Sequence, residues 1–343
     1  MADPVFHQLP SSVVAPEFGE VNVADTPAGR VVRFTILMEP QGKEAEGWQT
    51  GVALDASASM RNWYGRALVG KVPKELEAEY EQKGWVTTRV DDGQRVKVFQ
   101  REAHQDALQR GVLKFTTNIV EAPAREFISY LAANLDADGG TTVIYWACGD
   151  GSATEVVGDF TADQCRTLTV TGPKETPFGT GTKLTPAVRY FVDRFPDAKN
   201  GMYLFVTDGR LDDLAEVKRY TTQLCKEIAA GTRNPVKCVL IGVGNQIDEK
   251  QMEELDELDS GTDVDVWDHK IQADMRGVVE IFAEVVSENT TVAPLGTLFD
   301  PAGGVVVRFT DGVPARITAT LPAGAEFFEL EVGEHRIRQP LRG

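Results

Sequence analysis

The sequence is short of paired cysteines and of positive charge. Its 343 residues include four cysteines, Cys148, Cys165, Cys225 and Cys238, which are widely spaced and form no CxxC pair. The spacing of these cysteines therefore indicates neither a disulfide framework nor a zinc site, and we expect buried free thiols instead. The formal net charge of −17 argues against nucleic acid and anionic membranes as partners, because both require a basic face.

Long apolar runs are also lacking, and we expect no secretory leader. No run approaches the roughly 20 apolar residues of a membrane span. The N-terminal sequence MADPVFHQLPSSVV has neither a basic region nor a long apolar stretch, so no secretory signal is evident. We therefore expect a cytoplasmic protein.

Common catalytic and nucleotide-binding signatures are missing too. The four histidines are far apart and near no nucleophile motif, which gives no support to a catalytic triad or a histidine-based metal site. The segments 179–183 and 242–245 complete neither of the two common nucleotide-loop patterns. The acidic run 248–265 lacks the spacing of a calcium loop. We interpret it as a solvated helix face, with a docking surface for a basic partner as the alternative.

The composition and patterning that are present indicate an α/β protein. Hydrophobic residues at 42% and charged residues at 25% are typical of globular proteins, and the length allows one large domain or two. Buried-strand runs at 141–147, 201–206 and 237–243 alternate with helical segments. This alternation predicts a Rossmann-like, doubly wound, mostly parallel sheet covered on both faces.

Several finer elements are predicted around this sheet. Residues 85–100 carry the signal of a β-hairpin, and residues 102–135 show helical periodicity. A short strand is expected at 264–267, and a last helix at 271–287.

Both ends of the chain have β character. The segment 28–35, AGRVVRFT, is similar to 303–310, GGVVVRFT, although two strands of similar composition could also look alike by chance. We predict that an N-terminal β segment (1–45) and a C-terminal β segment (290–343) form one small β-domain that flanks the central domain (46–289).

A polar segment at about residues 61–101 interrupts the central domain, and we interpret it as an insertion. Its aromatic residues Trp63, Tyr64, Trp85 and Phe99 either face a partner or form a small core of the insertion itself.

Oxygen-bearing side chains follow two predicted strands and also lie in one loop before a predicted helix. Asp55, Ser57 and Ser59 come at the end of a short apolar run, Thr182 lies in a Gly-rich loop before a helix, and Asp208 ends a buried strand. In open parallel sheets, ligands bind outside the carboxyl ends of the strands. Hydroxyl and carboxylate oxygens are the ligands that a hard cation such as Mg²⁺ prefers.

These residues resemble the metal-ion-dependent adhesion site (MIDAS) of the von Willebrand factor A (vWA) domain family, in its intracellular bacterial type. That site is built from D-x-S-x-S, a distal Thr and a distal Asp. The matching pieces are Asp55-Ala-Ser57-Ala-Ser59, Thr182 in G-T-x-L-x-x-A and Asp208 in T-D-G. The resemblance covers about residues 48–288.

The resemblance implies a role for each residue. Ser57 and Ser59 would coordinate Mg²⁺ (or Mn²⁺ or Ca²⁺) through their hydroxyls, and Thr182 would bind it directly or through water. Asp55 and Asp208 would act through waters and as hydrogen-bond acceptors.

The sequence departs from the family pattern at two places. Ala58 stands where the family often has Gly, which predicts a stiffer loop. The insertion at 61–101 stands where the first helix of the family would begin.

The function implied by the resemblance is a non-enzymatic interaction module that binds an Asp or Glu of a protein partner through Mg²⁺. Family analogy alone suggests a MoxR-type AAA+ ATPase as partner, or a stress-response complex. A Mg²⁺-dependent phosphoryl-transfer enzyme is a second hypothesis. Such an enzyme needs a carboxylate two residues after the nucleophile, where this chain has Ser57. A metal-independent assembly component is a third.

Overall fold

The computed structural model describes residues 6–10, 13–37, 48–91, 94–245, 247–273, 275, 278, 291–333 and 335–342. The strands in these residues are β1 (His7–Gln8), β2 (Phe18–Thr26), β3 (Gly29–Ile36), β4 (Trp48–Asp55), β5 (Leu68–Gly70), β6 (Val86–Asp91), β7 (Gln94–Phe99), β8 (Leu113–Phe115), β9 (Thr141–Cys148), β10 (Ala153–Phe160), β11 (Asn200–Thr207), β12 (Val236–Gly242), β13 (Trp267–Ile271), β14 (Thr291–Ala293), β15 (Gly296–Phe299), β16 (Val305–Phe309), β17 (Val313–Pro314), β18 (Arg316–Leu321), β19 (Phe327–Val332) and β20 (His335–Pro340). The α-helices are α1 (Lys74–Gln82), α2 (Arg101–Gln109), α3 (Glu121–Asn134), α4 (Ala162–Cys165), α5 (Thr185–Arg194), α6 (Leu214–Ala229) and α7 (Glu249–Asp256).

A six-stranded, mostly parallel sheet forms the centre of the fold. Its strand order is β10-β9-β4-β11-β12-β13. The pairs β9/β4, β4/β11, β11/β12 and β12/β13 are parallel, and only the edge strand β10 is antiparallel. The prediction of an α/β fold around a mostly parallel sheet is thus confirmed, and further antiparallel sheets lie beside it.

The two faces of the central sheet contribute to different apolar cores. Along β4, Val52 and Leu54 belong to a core that includes Ile128 of α3. Ala53 belongs to a second core with Phe191 of α5. Because successive side chains of a strand point to opposite faces, the fully buried run of β4 requires cover on both sides.

The N-terminal and C-terminal strands meet in one antiparallel sheet, with the order β1-β2-β3-β18. Arg30 of β3 is paired with Leu321 of β18 at one end of this ladder. Behind the sheet, the rings of Phe18 and Phe34 both contact Phe328 of β19, at centroid distances of 5.6 and 4.6 Å. The similar segments 28–35 and 303–310 lie in different sheets, since β16 pairs with β15.

The insertion has a small core of its own. Tyr80, Trp85 and Phe99 pack together there, and the same core continues beyond residue 101 to Ala107 and Leu113. The prediction of uninterrupted helical structure over 102–135 is wrong, because Leu113–Phe115 forms strand β8 and pairs with β5. A short apolar run suits a helix or a strand equally well, and the pairing partner decides between them.

Other predicted elements differ at their ends. The strand expected at 264–267 is shifted to β13, where Trp267 pairs with Cys238 of β12. A last helix is predicted at 271–287. Its first residue, Ile271, is the last residue of β13 in the structure, and most of the remaining span lies outside the described residues. The four cysteines are free and buried, as predicted. In the described part of the chain, no helix is long and apolar enough to cross a membrane.

Candidate functional site

Asp55 ends strand β4 in a fully enclosed position, with 0% of its surface exposed. Its Oδ1 accepts a 2.6 Å hydrogen bond from the backbone N–H of Ser57, and its Oδ2 accepts one of 2.6 Å from the hydroxyl of Thr207 on the neighbouring strand β11. The Tyr64 hydroxyl donates to the backbone carbonyl of Asp55 at 2.8 Å. Asp55 therefore fixes both the loop that follows it and the end of the adjacent strand.

The two serines connect this loop to Asp208. Ser59 Oγ donates a 2.9 Å hydrogen bond to Oδ1 of Asp208, and Ser57 Oγ lies 3.0 Å from Ser59 Oγ. Since Ser59 has a single hydroxyl proton, which it donates to Asp208, Ser57 is the donor in the bond between the serines. The hydroxyls thus form a directed chain that ends on a carboxylate only 1% exposed.

Trp63 is a second hydrogen-bond donor to Asp208. Its indole Nε1–H donates a 2.6 Å hydrogen bond to Oδ2 of Asp208. The ring packs on the loop after β12, where a β-carbon at Gly244 would lie 2.7 Å from it. Tyr64 is buried in the core of the central sheet and Trp63 packs against the same core. Neither residue belongs to the core of the insertion, which corrects that interpretation for both, and the burial of Tyr64 excludes it as a residue that faces a partner.

The Gly-rich loop before α5 lies beside the serines. Ala58 N–H donates to the carbonyl of Gly179 at 2.9 Å, and Gly179 N–H donates to the carbonyl of Ala56 at 2.8 Å. A β-carbon at Gly179 would lie 1.8 Å from the carbonyl oxygen of Ala147. Only glycine permits this approach of three backbone segments.

Two aspartates after β11 hold the other end of this loop. Asp212 accepts the backbone N–H of Thr182 at 2.8 Å. Asp213 accepts those of Leu184 and Thr185 at 2.8 and 2.9 Å, and so satisfies amide groups that the start of α5 leaves free. The loop that carries Thr182 is thereby tied to the strand end that carries Asp208.

Burial raises the pKa of both site carboxyls. It raises that of Asp55 to about 7, and the charge of Asp208 adds to the effect, whereas hydrogen bonds from Thr207 and Ser57 oppose it. Burial also raises the pKa of Asp208, opposed by the hydrogen bonds from Ser59 and Trp63. The cost of enclosing negative charge is the common cause.

Four of the five predicted site residues are therefore joined in one hydrogen-bonded group: Asp55, Ser57, Ser59 and Asp208. Thr182 lies in a loop bonded to the same backbone, but among the described residues no hydrogen bond joins its hydroxyl to the other four. The group brings hydroxyls and carboxylates together, whereas no cluster of three His, Cys, Asp or Glu side chains suited to a metal occurs in the described residues.

The motif in the sequence does not include four further residues of the site: Thr207, Trp63, Asp212 and Asp213. Thr207 directly precedes Asp208, and Asp212 and Asp213 follow it by four and five residues, so their nearness in the sequence is the available signal for them. No local pattern marks the contact of Trp63 with Asp208, since it depends on the path of the turn after Ser59.

Comparison with known proteins gives remote likenesses only. The sequence matches no protein-family profile and no curated protein. Among solved structures, the ArnB paralog VWA2 from Sulfolobus acidocaldarius is similar over 98% of this chain and 74% of its own, with 11% identity and a TM-score of 0.31. The PilB minor pilin from Streptococcus sanguinis is similar over 82% of this chain and 76% of its own, with 12% identity and a TM-score of 0.35. These values are too low to establish a family or a function.

Proposed function

We propose that this chain is a vWA-type interaction module that binds Mg²⁺ at a MIDAS-like site and, through the ion, a carboxylate of a protein partner. The observation that carries the proposal is the hydrogen-bonded group of Asp55, Ser57, Ser59 and Asp208 at the carboxyl ends of two adjacent parallel strands. This is the edge of an open parallel sheet at which ligands bind.

The donor set suits a hard divalent cation. Two hydroxyl oxygens 3.0 Å apart stand between two buried carboxylates, and all four groups offer oxygen, as Mg²⁺, Mn²⁺ and Ca²⁺ require. Within the described residues, no Lys, Arg or His forms an ion pair with Asp55 or Asp208. Buried negative charge without a counter-ion is costly, and a bound cation would offset that cost.

Each residue has a defined part in this proposal. Ser57 and Ser59 hold the ion through their hydroxyls, and Thr182 reaches it directly or through water. Asp55 and Asp208 orient the serines and balance the charge of the ion. When bound, Mg²⁺ supplies a position at which a carboxylate of the partner replaces a water.

A phosphoryl-transfer role is less well supported by the geometry. A nucleophilic aspartate must present a free carboxylate oxygen to its substrate. Asp55 is fully enclosed, and both of its carboxylate oxygens accept hydrogen bonds. Ser57 occupies the position in which such an enzyme needs an acid.

Thermal unfolding in Mg²⁺ and in EDTA tests the metal site. We expect Mg²⁺ or Mn²⁺ to raise the Tm of the wild type, and Asp55→Ala combined with Ser57→Ala to abolish the shift. Ser59→Ala is the gentler variant, because Ser59 is exposed. Ser152→Ala is its matched control, since Ser152 also bonds to a loop aspartate, Asp150, but outside the site. A Tm unaffected by either metal would refute the proposal.

The partner requires a separate experiment. A pull-down that compares wild type with Asp208→Ala, in Mg²⁺ and in EDTA, should recover a partner only with the wild type in Mg²⁺. A MoxR-type AAA+ ATPase is the partner class to examine first, and the family resemblance is its only support. Light scattering with and without EDTA separates this role from that of an assembly component, whose self-association would not depend on metal.

A further inference from the structure

A cleft of about 540 Å³ opens next to Ser59. It is lined by the turn that begins the insertion and by residues of β5, α2 and β8. We call it the arginine cleft. Residues that line it include Ser59, Arg61, Arg66, Leu68, His104 and Phe115. None of its lining residues, all of which are described, is an Asp or a Glu, although the chain has 52 acidic residues against 35 Lys and Arg.

The two arginines of the cleft have no acidic partner within the described residues. Within the described residues, the guanidinium of Arg66 makes only long hydrogen bonds, of 3.4 Å, to backbone carbonyls. The guanidinium carbons of Arg61 and Arg66 lie 5.7 and 5.8 Å from the ring centroid of Phe178. Both guanidiniums thus lie near one ring, and both arginines are exposed and line the cleft.

The backbone that carries the arginines is held in place. Arg66 N–H donates to the carbonyl of Arg61 at 2.9 Å, which closes the turn. The hydroxyl of Thr116, just after β8, donates to the carbonyl of Asn62 at 2.7 Å, and its N–H donates to that of Ala67 at 2.9 Å. A charge pair presented on a fixed backbone loses less entropy when it binds a ligand.

An exposed apolar surface completes the cleft. Phe115 is 57% exposed, and Leu68, its partner across the β5/β8 pair, is half-buried. Charge and apolar surface together suit an extended segment that carries both kinds of side chain.

We infer that the arginine cleft binds a second acidic side chain of the partner segment whose first carboxylate reaches the metal. This inference rests on the proposed function. The segment passes from the ion at Ser59 into the cleft, where its second carboxylate contacts Arg61 and Arg66 and an adjacent apolar side chain packs on Phe115. The insertion thereby selects partners with two acidic residues over those with one.

A panel of fluorescein-labelled peptides tests the inference by fluorescence anisotropy. Each peptide carries one Asp, a Gly-Ser spacer of varied length, and then Glu-Leu or Gln-Leu. In Mg²⁺, the best two-acid peptide should bind the wild type about ten-fold more tightly than its Gln counterpart, the scale of one charge-assisted contact. Arg61→Glu combined with Arg66→Glu should remove this advantage and leave the Mg²⁺-dependent Tm shift in place.

The matched control reverses charge elsewhere in the insertion. Arg95 lies on the exposed hairpin strand β7, outside the cleft. The control variant combines Arg95→Glu with Arg89→Glu on β6, which changes the net charge by the same amount as the cleft variant. This control should keep the two-acid advantage. If the advantage survives in the cleft variant, is lost equally in the control, or is absent from every peptide, the inference is overturned.

Failure of the proposed function would look different. Equal peptide binding in Mg²⁺ and in EDTA would refute the metal-dependent role. If the cleft variant still abolished the two-acid advantage under those conditions, the acid-binding role of Arg61 and Arg66 would stand without the metal.

Discussion

The indole N–H of Trp63 donates to Oδ2 of Asp208 at 2.6 Å, and the hydroxyl of Ser59 donates to the other oxygen at 2.9 Å. Asp208 is thus held from two sides by residues of the segment that follows β4. The turn between Ser59 and Trp63 joins the loop of the proposed metal site, residues 55–59, to the arginine cleft, since Arg61 lies within it. The insertion is therefore continuous with the site as well as adjacent to it.

Trp63→Phe tests this hold on Asp208. The variant keeps an aromatic ring but leaves a buried carboxylate oxygen without its donor. We expect the free energy of unfolding in EDTA to fall by about 1–3 kcal/mol, measured by urea denaturation. In an Asp208→Asn background, where the buried charge is absent, the same substitution should lower the free energy of unfolding by clearly less. Equal costs in the two backgrounds would mean that only the packing of the ring matters.

Gly179→Ala tests the close approach of the Gly-rich loop to β9. The new β-carbon would meet the carbonyl oxygen of Ala147 at 1.8 Å, so the loop must move away. We expect a loss of at least about 1–3 kcal/mol in the free energy of unfolding, together with a smaller Mg²⁺-dependent Tm shift.

The control for this substitution is Gly140→Ala. A β-carbon at Gly140 would meet nothing within 4 Å, and the residue does not have a left-handed φ. This variant should unfold as the wild type does. If Gly179→Ala were as stable as the wild type, there would be more space around residue 179 than the structure indicates.

The sequence predicted the meeting of Asp55, Ser57, Ser59 and Asp208 because the carboxyl ends of neighbouring parallel strands share one edge of the sheet. Strand type and chain order suffice for that argument. Their role as metal ligands stays a prediction, as does that of Thr182.

The parts that the sequence did not predict depend on tertiary contacts. Leu113–Phe115 has apolar residues that suit a helix as well as a strand, and pairing with Leu68–Gly70 makes it β8. From the sequence alone, Trp63 suits the surface as well as a core. Only the path of its turn brings the indole N–H to Asp208. Neither outcome can be read from local periodicity, which carries no information about distant partners.

Asp212 and Asp213 should separate the stability of the Gly-rich loop from its metal response. Asp213→Ala removes the acceptor of two amides at the start of α5, and we expect a loss of about 0.5–2 kcal/mol by urea denaturation. Asp212→Ala removes the acceptor of the Thr182 amide. Because Asp212 itself is exposed, water can take the place of its carboxylate, so the main effect should be a smaller Mg²⁺-dependent Tm shift. If both variants altered the two measurements in the same proportion, the loop would act as a single structural unit.

The pair of His269 and Asp256 should give the protein a pH-dependent stability. The hydrogen bond from His269 Nδ1 to Asp256, at 2.5 Å, raises the pKa of His269 above its usual 6.5; the charge of Glu253 adds to this, whereas partial burial and the charge of Lys270 oppose it. Because the folded-state pKa is raised, the pair stabilises the protein fully below about pH 6 and loses its effect as the pH rises through the folded-state pKa.

A double-mutant cycle of His269→Gln and Asp256→Asn isolates this contribution. The Tm values of the wild type and the three variants should show favourable coupling between the two positions at about pH 5.5 and almost none at about pH 9. The pair joins the end of α7 to β13, so the coupling reports on the docking of this helix on the sheet edge. Coupling that did not change over this pH range would mean that a neutral hydrogen bond, rather than the charge of His269, holds the helix there.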